Sequence, residues 1–445
     1  MGAEVQFFAQ TDVGRVREVN EDSYLVDRRL KLFIVCDGMG GHAAGEIASS
    51  LAVRVMREQL AKNRDLLEDF DTPSGSTTRK DVLSLLEFSV QKACSAVHAE
   101  GQRDQSKRGM GTTLSALLML GSRGFIAHVG DSRIYLIRQG SVHQLTEDHS
   151  LINELLKRGR LTKEQIDKVQ YKNAVTRAVG VYESVEVDTL DFDVLDGDQF
   201  MLCTDGLHGY LQDGEIPTIA ADTKDEELSQ KLIDLANGRG GKDNITVVVI
   251  RVPTADGADV RARDLHLKLE VLHRMPLFRY LTYQELVRVM NITDVRGFGP
   301  GQVVMGEGDG GDELYIVLTG RVRVHKGDAT ITTLGAGEHM GEMALIDSAP
   351  RSASVTAEEE ANLLVVRRKD FFDLVRKDHS VAVKLLWSFL GVLAQRLRQT
   401  SRDLGEARDQ LSLEEISSDM LTEFDRAELD RETSVDMKPI RRIGS

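Results

Sequence analysis

The chain has 445 residues, of which 41% are hydrophobic and 29% are charged. This length exceeds what one hydrophobic core usually serves, so the sequence predicts two or three globular units and excludes a single small binding module. There are 56 lysine and arginine residues against 71 aspartate and glutamate residues, which gives a formal charge of -15. Because nucleic-acid-binding proteins usually carry the opposite charge, we expect no nucleic-acid partner.

The sequence carries no recognisable targeting signal. The apolar runs are short, which predicts no membrane-spanning helix and no membrane partner. Residues 1–10 lack the basic region and apolar core of a secretory signal, and Gln6 is not the Ser or Thr that N-myristoylation requires. We therefore expect a cytoplasmic protein. Its three cysteines, Cys36, Cys94 and Cys203, are too few for a disulfide framework or a thiolate metal cage.

Helical and strand-like segments alternate up to about Val252. Apolar residues at helical spacing predict one helix around residues 47–56 and another over residues 82–97. Strands are predicted at residues 32–36, 114–120, 125–129, 134–137, 200–203 and 245–252. Two helices among many strands predict a layered α+β domain.

A change of composition separates this first domain from a second one. Residues 253–259, with the sequence PTADGAD, are small and polar and are typical of a domain boundary. We therefore predict a first domain at residues 1–252, a linker at 253–263 and a second domain at 264–400. The second domain is crowded with glycine between residues 297 and 341, and strand-like runs separate the glycines. This pattern predicts a mostly β domain, either a β-roll or a barrel.

A long helix is predicted from His379 onward. Its apolar positions follow alternating steps of four and three residues, as in a coiled coil. They are Leu386, Leu390, Leu393, Leu397, Thr400, Leu404, Ala407 and Leu411. The helix could form a homodimer through this seam or pack back on its own β domain. From Leu413 the chain is polar and acidic, so residues 401–445 are predicted to be a helical extension followed by a disordered tail.

Four aspartates lie next to predicted strands. Apolar runs end in Asp37-Gly38, Asp131-Ser132 and Asp205-Gly206, and Asp243-Asn244 directly precedes the last strand. Carboxylates that converge at one sheet edge repel one another and require cations. An all-oxygen set favours Mg²⁺ or Mn²⁺ over Zn²⁺. The alternative is that these pairs are ordinary turns, and that alternative is strongest for Asp131, because a strand-like run follows it at once.

Six ordered motifs carry a family resemblance. They are TDVGRVREVNED, FIVCDGMGGHAAGEIAS, GMGTTL, VGDSR, LCTDGLHG and GGKDNITVVV. Over about residues 4–252 the chain resembles the protein phosphatase 2C family of metal-dependent serine/threonine phosphatases. The resemblance implies an α/β/β/α sandwich that hydrolyses phosphoserine and phosphothreonine in phosphorylated proteins. It also implies two Mn²⁺ or Mg²⁺ ions that lower the pKa of bound water and neutralise the phosphoryl charge.

The resemblance also implies individual roles. The implied metal ligands are Glu21, Asp22, Asp37, the carbonyl of Gly38, Asp131, Asp205 and Asp243, with Asp131 at a third ion and Asp37 and Asp205 central to catalysis. Arg17 would bind the substrate phosphate, although an arginine here could also be a surface residue paired with a neighbouring glutamate. His42 would be the general acid, but the family places this histidine directly after Asp-Gly, where this chain has Met39. Residues 147–180 correspond to a mobile flap beside the active site.

The stretch MGEMALIDSAPRSASV, residues 340–355, suggests a second site. Backbone N–H groups at the start of a short helix and a nearby guanidinium can bind an anion. Glu342 and Arg351 could instead form an ordinary salt bridge. The stretch resembles the phosphate-binding cassette of cyclic-nucleotide-binding domains, and the likeness extends over about residues 264–400. The implied ligand contacts are Gly341, Glu342, Met343, Ala344, Arg351, Ser352 and Ala353, with cAMP and cGMP both open.

Together these observations predict a metal-dependent protein serine/threonine phosphatase regulated by a cyclic nucleotide. One alternative is an active phosphatase whose second domain is a ligand-free docking or dimerisation module. Another is a cyclic-nucleotide-binding scaffold without catalysis. A cyclic-nucleotide-responsive transcription factor is disfavoured, because the acidic segment after Thr400 is too short and wrongly charged to supply a DNA-binding helix-turn-helix.

Overall fold

The computed structural model describes residues 5–40, 44–162, 165–166, 174–212, 214–254, 259–347 and 349–433. The chain divides into two compact units. The first comprises Met1–Met275 and Leu281–Asp378, and the second comprises Pro276–Tyr280 and His379–Ser445.

Two five-stranded antiparallel sheets form the first part of unit one. One sheet has the order β1-β12-β11-β8-β9, with β1 Gln6–Asp12, β8 Arg133–Arg138, β9 Ser141–Gln144, β11 Gln199–Cys203 and β12 Ile245–Arg251. The other has the order β10-β7-β6-β3-β2, with β2 Ser23–Asp27, β3 Leu32–Cys36, β6 Leu114–Leu120, β7 Arg123–Val129 and β10 Asp188–Asp193. The short strands β4 Gly38–Met39 and β5 Gly111–Thr112 pair with each other.

The two sheets pack face to face, and helices cover their outer faces. A core that includes Phe33, Leu117, Phe200 and Val248 fills the space between the sheets. The helices are α1 Ala44–Lys62, α2 Arg64–Phe70, α3 Arg79–Arg103, α4 Leu151–Lys157, α5 Asp205–His208, α6 Ile216–Ala221 and α7 Asp225–Gly238. α1 and α3 share a core with the second sheet, and α7 shares one with the first. The predicted α/β/β/α sandwich is confirmed.

The predicted strands agree closely with the observed ones, and β3 and β6 have the predicted bounds. The turn alternative for Asp131 is wrong. β7 and β8 belong to different sheets, so residues 130–132 cross from one sheet to the other instead of closing a hairpin.

The later part of unit one begins with two helices, α8 Asp259–Arg274 and α9 Tyr283–Met290. α8 begins inside the predicted linker, because residues 259–274 contain no glycine or proline to stop a helix. Eight strands follow: β13 Thr293–Phe298, β14 Val303–Met305, β15 Glu313–Thr319, β16 Val322–Lys326, β17 Ala329–Leu334, β18 His339–Met340, β19 Ser354–Ala357 and β20 Ala361–Arg367. They form the sheets β13-β20-β15-β18 and β14-β19-β16-β17, and helix α10 Arg368–Lys377 follows them. The predicted β-roll with flanking helices is confirmed.

Unit two contains the long helix α11, His379–Thr433, which starts at the predicted residue. The prediction of disorder from Leu413 is wrong as far as Thr433. No glycine or proline occurs between residues 406 and 433, and leucine, glutamate and arginine favour a helix there. The segment 434–445 of the predicted tail lies outside the described residues.

The first part of α11 also differs from the expectation about membranes. In the described part of the chain, one helix, His379–Glu406, is long and apolar enough to cross a bilayer by length and composition, with a mean hydropathy of 1.3 over its best window. The prediction missed it because charged residues interrupt its apolar runs. Core helices of proteins outside membranes meet the same criterion.

Candidate functional site

The predicted acidic residues converge at one end of the sandwich. Asp37 follows β3, Asp131 precedes β8, Asp205 follows β11 and Asp243 precedes β12. The carboxylate of Asp37 lies within electrostatic range of Asp22, Asp131, Asp205 and Asp243. We call these five aspartates the acid cluster. The strand ends that meet here therefore bring several acidic side chains close together.

This crowding changes the protonation of the cluster. Burial, followed by the charge of Asp22, raises the pKa of Asp37 well above its usual range. Burial also raises the pKa of Asp131 to about 7, with further contributions from Asp205 and Asp148. Burial, followed by the charge of Asp243, raises the pKa of Asp205 as well.

Two carboxylate oxygens of the cluster are buried without a hydrogen-bond partner, Asp22 Oδ1 and Asp205 Oδ1. The other oxygen of Asp22 accepts hydrogen bonds from the hydroxyls of Thr204 and Thr246, at 2.8 and 2.6 Å. Burial raises the pKa of Asp22 to about 7. Buried acceptors without donors are unfavourable, so these two oxygens point to a positively charged ligand.

Glu21 and Gly38 are tied together beside the cluster. The Gly38 N–H donates to the Glu21 carbonyl at 3.2 Å, and the Gly45 N–H donates to Glu21 Oε1 at 3.2 Å. A Cβ at Gly38 would lie 2.2 Å from the Gly45 carbonyl oxygen, so only glycine fits there. Asn244 holds the loop from the other side, because its Oδ1 accepts from the Glu21 N–H at 2.8 Å.

Arg17 lies at the rim of the cluster with 48% of its side chain exposed. Its Nη2 donates to Asp243 Oδ2 at 2.8 Å. The alternative from the sequence paired Arg17 with a neighbouring glutamate, but its hydrogen-bond partner is Asp243, a predicted metal ligand that is distant in the chain. This hydrogen bond, which Arg17 donates to Asp243, raises the pKa of Arg17.

The donor set fits a hard divalent cation, because it consists of carboxylate and carbonyl oxygens. Among the described side chains, no three acidic, histidine or cysteine groups are already arranged around one point. The reason is that several carboxylates turn to protein donors: Asp22 to two threonines and Asp243 to Arg17. His42, the predicted general acid, lies outside the described residues.

A cleft of 510 Å³ opens beside the cluster. Its lining includes Asp131, Asp205 and Asp243 on one side and Ile152 and Leu156 of α4 on the other. α4 belongs to the predicted flap, of which residues 163–164 and 167–173 lie outside the described part. The cleft places the acid cluster at the floor of an open, partly apolar depression.

The predicted nucleotide cassette forms a short 3₁₀ helix, Glu342–Leu345, that begins after Gly341. Gly341 has φ +74°, which is the left-handed region that favours glycine. Arg351 is 9% exposed, and its guanidinium donates to the carbonyls of Glu313 and Gly341, at 2.8 and 3.3 Å. A Cβ at Gly311 would lie 2.6 Å from Arg351 Nε, so the chain passes close over the guanidinium.

These contacts place Arg351 beside the start of the 3₁₀ helix. Glu342 is 2% exposed, whereas Met343 is half exposed. Ser352 and Ala353 follow Arg351 and lead into β19. The predicted contact residues are therefore brought to one edge of the β-roll. Arg351 donates to carbonyl oxygens, which carry no formal charge and so do not neutralise the guanidinium.

The sequence analysis missed the residues that support the cluster. Thr204 and Thr246 orient Asp22, and the hydroxyl of Thr113 accepts from the Asp37 N–H at 2.8 Å. His208 Nε2 lies 2.9 Å from the Asp131 carbonyl. Thr204, His208 and Thr246 lie inside or next to the recognised motifs, so their positions were a usable signal.

Comparison with known proteins agrees with this geometry. Residues 13–235 match the family model described as Protein phosphatase 2C, and residues 295–378 match the model described as Cyclic nucleotide-binding domain. The chain is 37% identical over 245 residues to serine/threonine phosphatase stp of Listeria innocua, covering 54% of this chain and 93% of that protein. It is 38% identical over 252 residues to protein phosphatase PhpP of Streptococcus pneumoniae, covering 55% and 97%.

A solved structure is similar as well. The serine/threonine phosphatase of S. agalactiae is 35% identical, with a TM-score of 0.50, and the match covers 56% of this chain and 99% of that one. Fold, ordered acidic motifs and family match all lead to one assignment: the chain belongs to the protein phosphatase 2C family of enzymes and carries, in addition, a cyclic nucleotide-binding domain.

Proposed function

We propose that this protein is a metal-dependent phosphatase that removes phosphate from phosphoserine and phosphothreonine in other proteins. The observation that carries this proposal is the acid cluster, with two buried carboxylate oxygens that lack protein donors. Two ions, Mn²⁺ or Mg²⁺, would be held by Glu21, Asp22, Asp37, Gly38, Asp205 and Asp243, and a third by Asp131. When bound, such ions activate water and neutralise the charge of the phosphoryl oxygens.

The chain's own residues would orient the substrate. Thr204 and Thr246 hold one oxygen of Asp22 and leave the other directed into the cluster. When Asp243 is engaged by a cation, Arg17 is released to bind the substrate phosphate, for which a planar guanidinium is suited. His42 would give a proton to the oxygen of the departing serine or threonine.

The test is hydrolysis of a phosphothreonine peptide by the full chain with Mn²⁺, after EDTA, and after Mn²⁺ is restored. We expect activity, its loss and its return. Calorimetry with Mn²⁺ alone gives a second readout that does not depend on turnover. Binding of Mn²⁺ without hydrolysis would support the alternative of a scaffold without catalysis.

We also propose that the second domain binds cAMP or cGMP and thereby changes the phosphatase activity. The support is the buried Arg351, whose guanidinium contacts the Gly341 carbonyl at the start of the short helix that contains the buried Glu342. A cyclic phosphate would take the guanidinium and the backbone N–H groups of Glu342 and Met343, and Glu342 would accept the ribose hydroxyl. Calorimetry with each nucleotide tests binding, and no binding of either would favour the docking-module alternative.

We further propose that α11 joins two copies of the chain. Leu386, Leu390, Leu397 and Leu404 are 62%, 54%, 69% and 70% exposed, and they lie on the predicted coiled-coil seam. The side chains of Ala407 and Leu411 lie outside the described residues. In sedimentation, Leu390→Glu should shift a dimer to monomer, and Lys384→Glu should not. Pelleting with anionic vesicles instead of dimerisation would identify the face as membrane-binding and would contradict our proposal of a cytoplasmic protein.

A further inference from the structure

Helix α9 joins the cyclic nucleotide-binding domain to the phosphatase core. Val287 is 2% exposed and belongs to the apolar cluster between the two catalytic sheets, which also contains Phe192 and Phe200. Tyr283 packs against the same cluster. Residues four apart share one face of a helix, so this face of α9 covers the sandwich. Helix α9 contacts β9 and β10, which are edge strands of the two sheets.

Tyr283 makes two specific contacts there. Its ring stacks on His143 of β9, with centroids 3.8 Å apart and planes within 14°. Its hydroxyl accepts a hydrogen bond from Arg138 Nη1 at 3.0 Å. Arg138 also forms a two-pronged ion pair with Asp198, at 2.7 and 2.6 Å. Tyr283 therefore supplies a hydrogen-bond acceptor to the arginine of a buried ion pair in the catalytic domain.

Asn291, directly after α9, adds a second polar contact. Its Nδ2 donates to the Asp191 carbonyl at 2.7 Å, and its Oδ1 accepts from Arg123 Nη2 at 3.1 Å. Arg123 also pairs with the carboxylate of Asp191, at 2.5 Å. Because Asn291 satisfies an acceptor on the edge strand β10 and a donor on its neighbour β7, the helix has one defined position on this sheet.

The strands that meet this contact lead to the acid cluster. Arg138 is the last residue of β8, and Asp131 lies just before its first residue. Asp198 lies just before β11, and Asp205 lies just after its end. The two strands pair antiparallel, with Arg133 opposite Cys203. One ion pair thus joins β8 and β11 at the end far from the cluster, about 17 Å away for a strand of this length.

A second set of contacts connects α9 to the nucleotide cassette. Arg288 of α9 forms an ion pair with Asp378, the residue that follows α10. At the start of α10, Arg368 Nη2 donates to the Ile346 carbonyl at 3.1 Å, directly after the 3₁₀ helix with Glu342. Named contacts therefore connect the cassette, α10, α9 and the paired strands in sequence.

We propose that α9 is the docking element through which a nucleotide at the cassette acts on the acid cluster, and that the Tyr283 hydroxyl on Arg138 is its coupling contact. This inference rests on the proposed regulation and specifies its route. A cavity of 340 Å³, lined by Tyr283, His143 and Leu269, lies beside the contact and provides space for the helix to shift. Tyr283 is a positioning residue, since it acts through Arg138.

The experiment compares full-length parent, Tyr283→Phe and Asn291→Ala for phosphopeptide hydrolysis with Mn²⁺, with and without saturating cAMP or cGMP. Tyr283→Phe keeps the stacked ring and removes only the hydroxyl. Tyr280→Phe is the matched control, because Tyr280 is 44% exposed and its hydroxyl contacts only the adjacent Arg279 among the described groups. Calorimetry measures the nucleotide affinity of each variant.

In the parent we expect the nucleotide to change kcat/KM by a factor within the ~5- to 150-fold range typical of coupled sites. In Tyr283→Phe and Asn291→Ala the change should fall to ~2-fold or less, with nucleotide affinity within ~3-fold of the parent. Tyr280→Phe should retain the parent response.

A regulated parent whose response survives in both interface variants would overturn this route while leaving the proposed regulation intact. A parent that binds nucleotide but shows no change in activity would overturn the regulation and this inference with it. Phosphatase activity and nucleotide binding are measured separately in every variant, so a failure of either basic function is recognised directly.

Discussion

Arg17 Nη2 lies 2.8 Å from Asp243 Oδ2, so the predicted phosphate-binding arginine is paired with a predicted metal ligand. The pair lies at the rim of the acid cluster, where neither group is buried. A cation held by Asp243 would compete with Arg17 for the same carboxylate. In the function proposed above, metal binding and the release of Arg17 for the substrate phosphate would then be linked through this one hydrogen bond.

Replacing Arg17 with alanine should weaken substrate binding more than turnover. A hydrogen bond to a charged group contributes about 1.5–3 kcal/mol, which corresponds to a roughly 10- to 150-fold rise in KM. Steady-state kinetics on a phosphothreonine peptide measures this. Arg15→Ala, a change in an exposed neighbouring arginine, should leave KM unchanged. An unaltered KM in Arg17→Ala would remove the assigned role.

Replacing Asp37 with asparagine should reduce hydrolysis at least about 100-fold, the order that a single electrostatic group contributes to catalysis. The folded protein raises the pKa of Asp37, so this carboxyl group costs stability at any pH above its ordinary pKa. Asparagine removes that cost, so the metal-free variant should melt at a higher temperature than the parent. Asp65→Asn, at an exposed position of α2, is the control for both measurements. Parent-like activity in a folded Asp37→Asn protein would contradict the two-ion proposal.

Replacing Arg351 with alanine should weaken cyclic nucleotide binding roughly 10- to 150-fold, because a charged hydrogen-bond partner of the phosphate is lost. Calorimetry on the full chain measures the affinity. Arg321→Ala serves as control, since Arg321 is exposed in the same domain. Phosphatase activity without nucleotide confirms that the variant is folded, and equal affinities in both variants would count against the assigned cassette.

A buried histidine, His128, and a half-buried one, His143, predict a contribution that destabilises the protein in acid. Burial lowers the pKa of His128 to about 4 and that of His143 to about 4, against about 6.5 in the unfolded chain. Between pH 4 and 6.5 these two side chains bind protons in the unfolded chain but not in the folded one, so their contribution to stability rises with pH. They therefore contribute a loss of stability as pH falls from about 6.5 to about 4. The raised pKa values of Asp22 and Asp131 act in the opposite direction, and the comparison with a histidine variant isolates the histidine contribution.

Melting temperatures at pH 7.5 and 5.0 measure this loss, with the parent compared with His143→Gln. The glutamine side chain does not titrate, so the variant should lose less on acidification. An identical pH dependence in parent and variant would exclude a contribution from His143.

The elements of the sandwich were predictable because uniform burial leaves a plain sequence signature. β3 and β6 are buried along their whole length, and their apolar runs have sharp ends. Four aspartates of the cluster, Asp37, Asp131, Asp205 and Asp243, were found because each stands beside such a run, whereas Asp22 was found only through the family resemblance. The β-roll was found through its glycine-rich turns.

The supporting contacts were not predictable from local pattern. Thr204 and Thr246 hold Asp22 across sequence separations of 182 and 224 residues, and Tyr283 contacts Arg138 across 145. No periodicity in the chain encodes such pairings. The helix after Leu413 was missed for another reason: its apolar residues at helical spacing, Leu413, Ile416, Met420 and Phe424, are sparse among charged and polar ones, and the intrinsic helix preference of the segment was not weighed.

The position of Val287 has a consequence for the modularity of this enzyme. The inter-sheet core takes a side chain from beyond residue 252, so the first 252 residues do not supply their own complete covering at the β9 and β10 edge. Replacing the sensor with an unrelated domain would expose the β9 and β10 edge of the sandwich, unless the new domain provided equivalents of Tyr283, Val287 and Asn291. In this protein helix α9 of the sensor is therefore also a structural part of the catalytic domain.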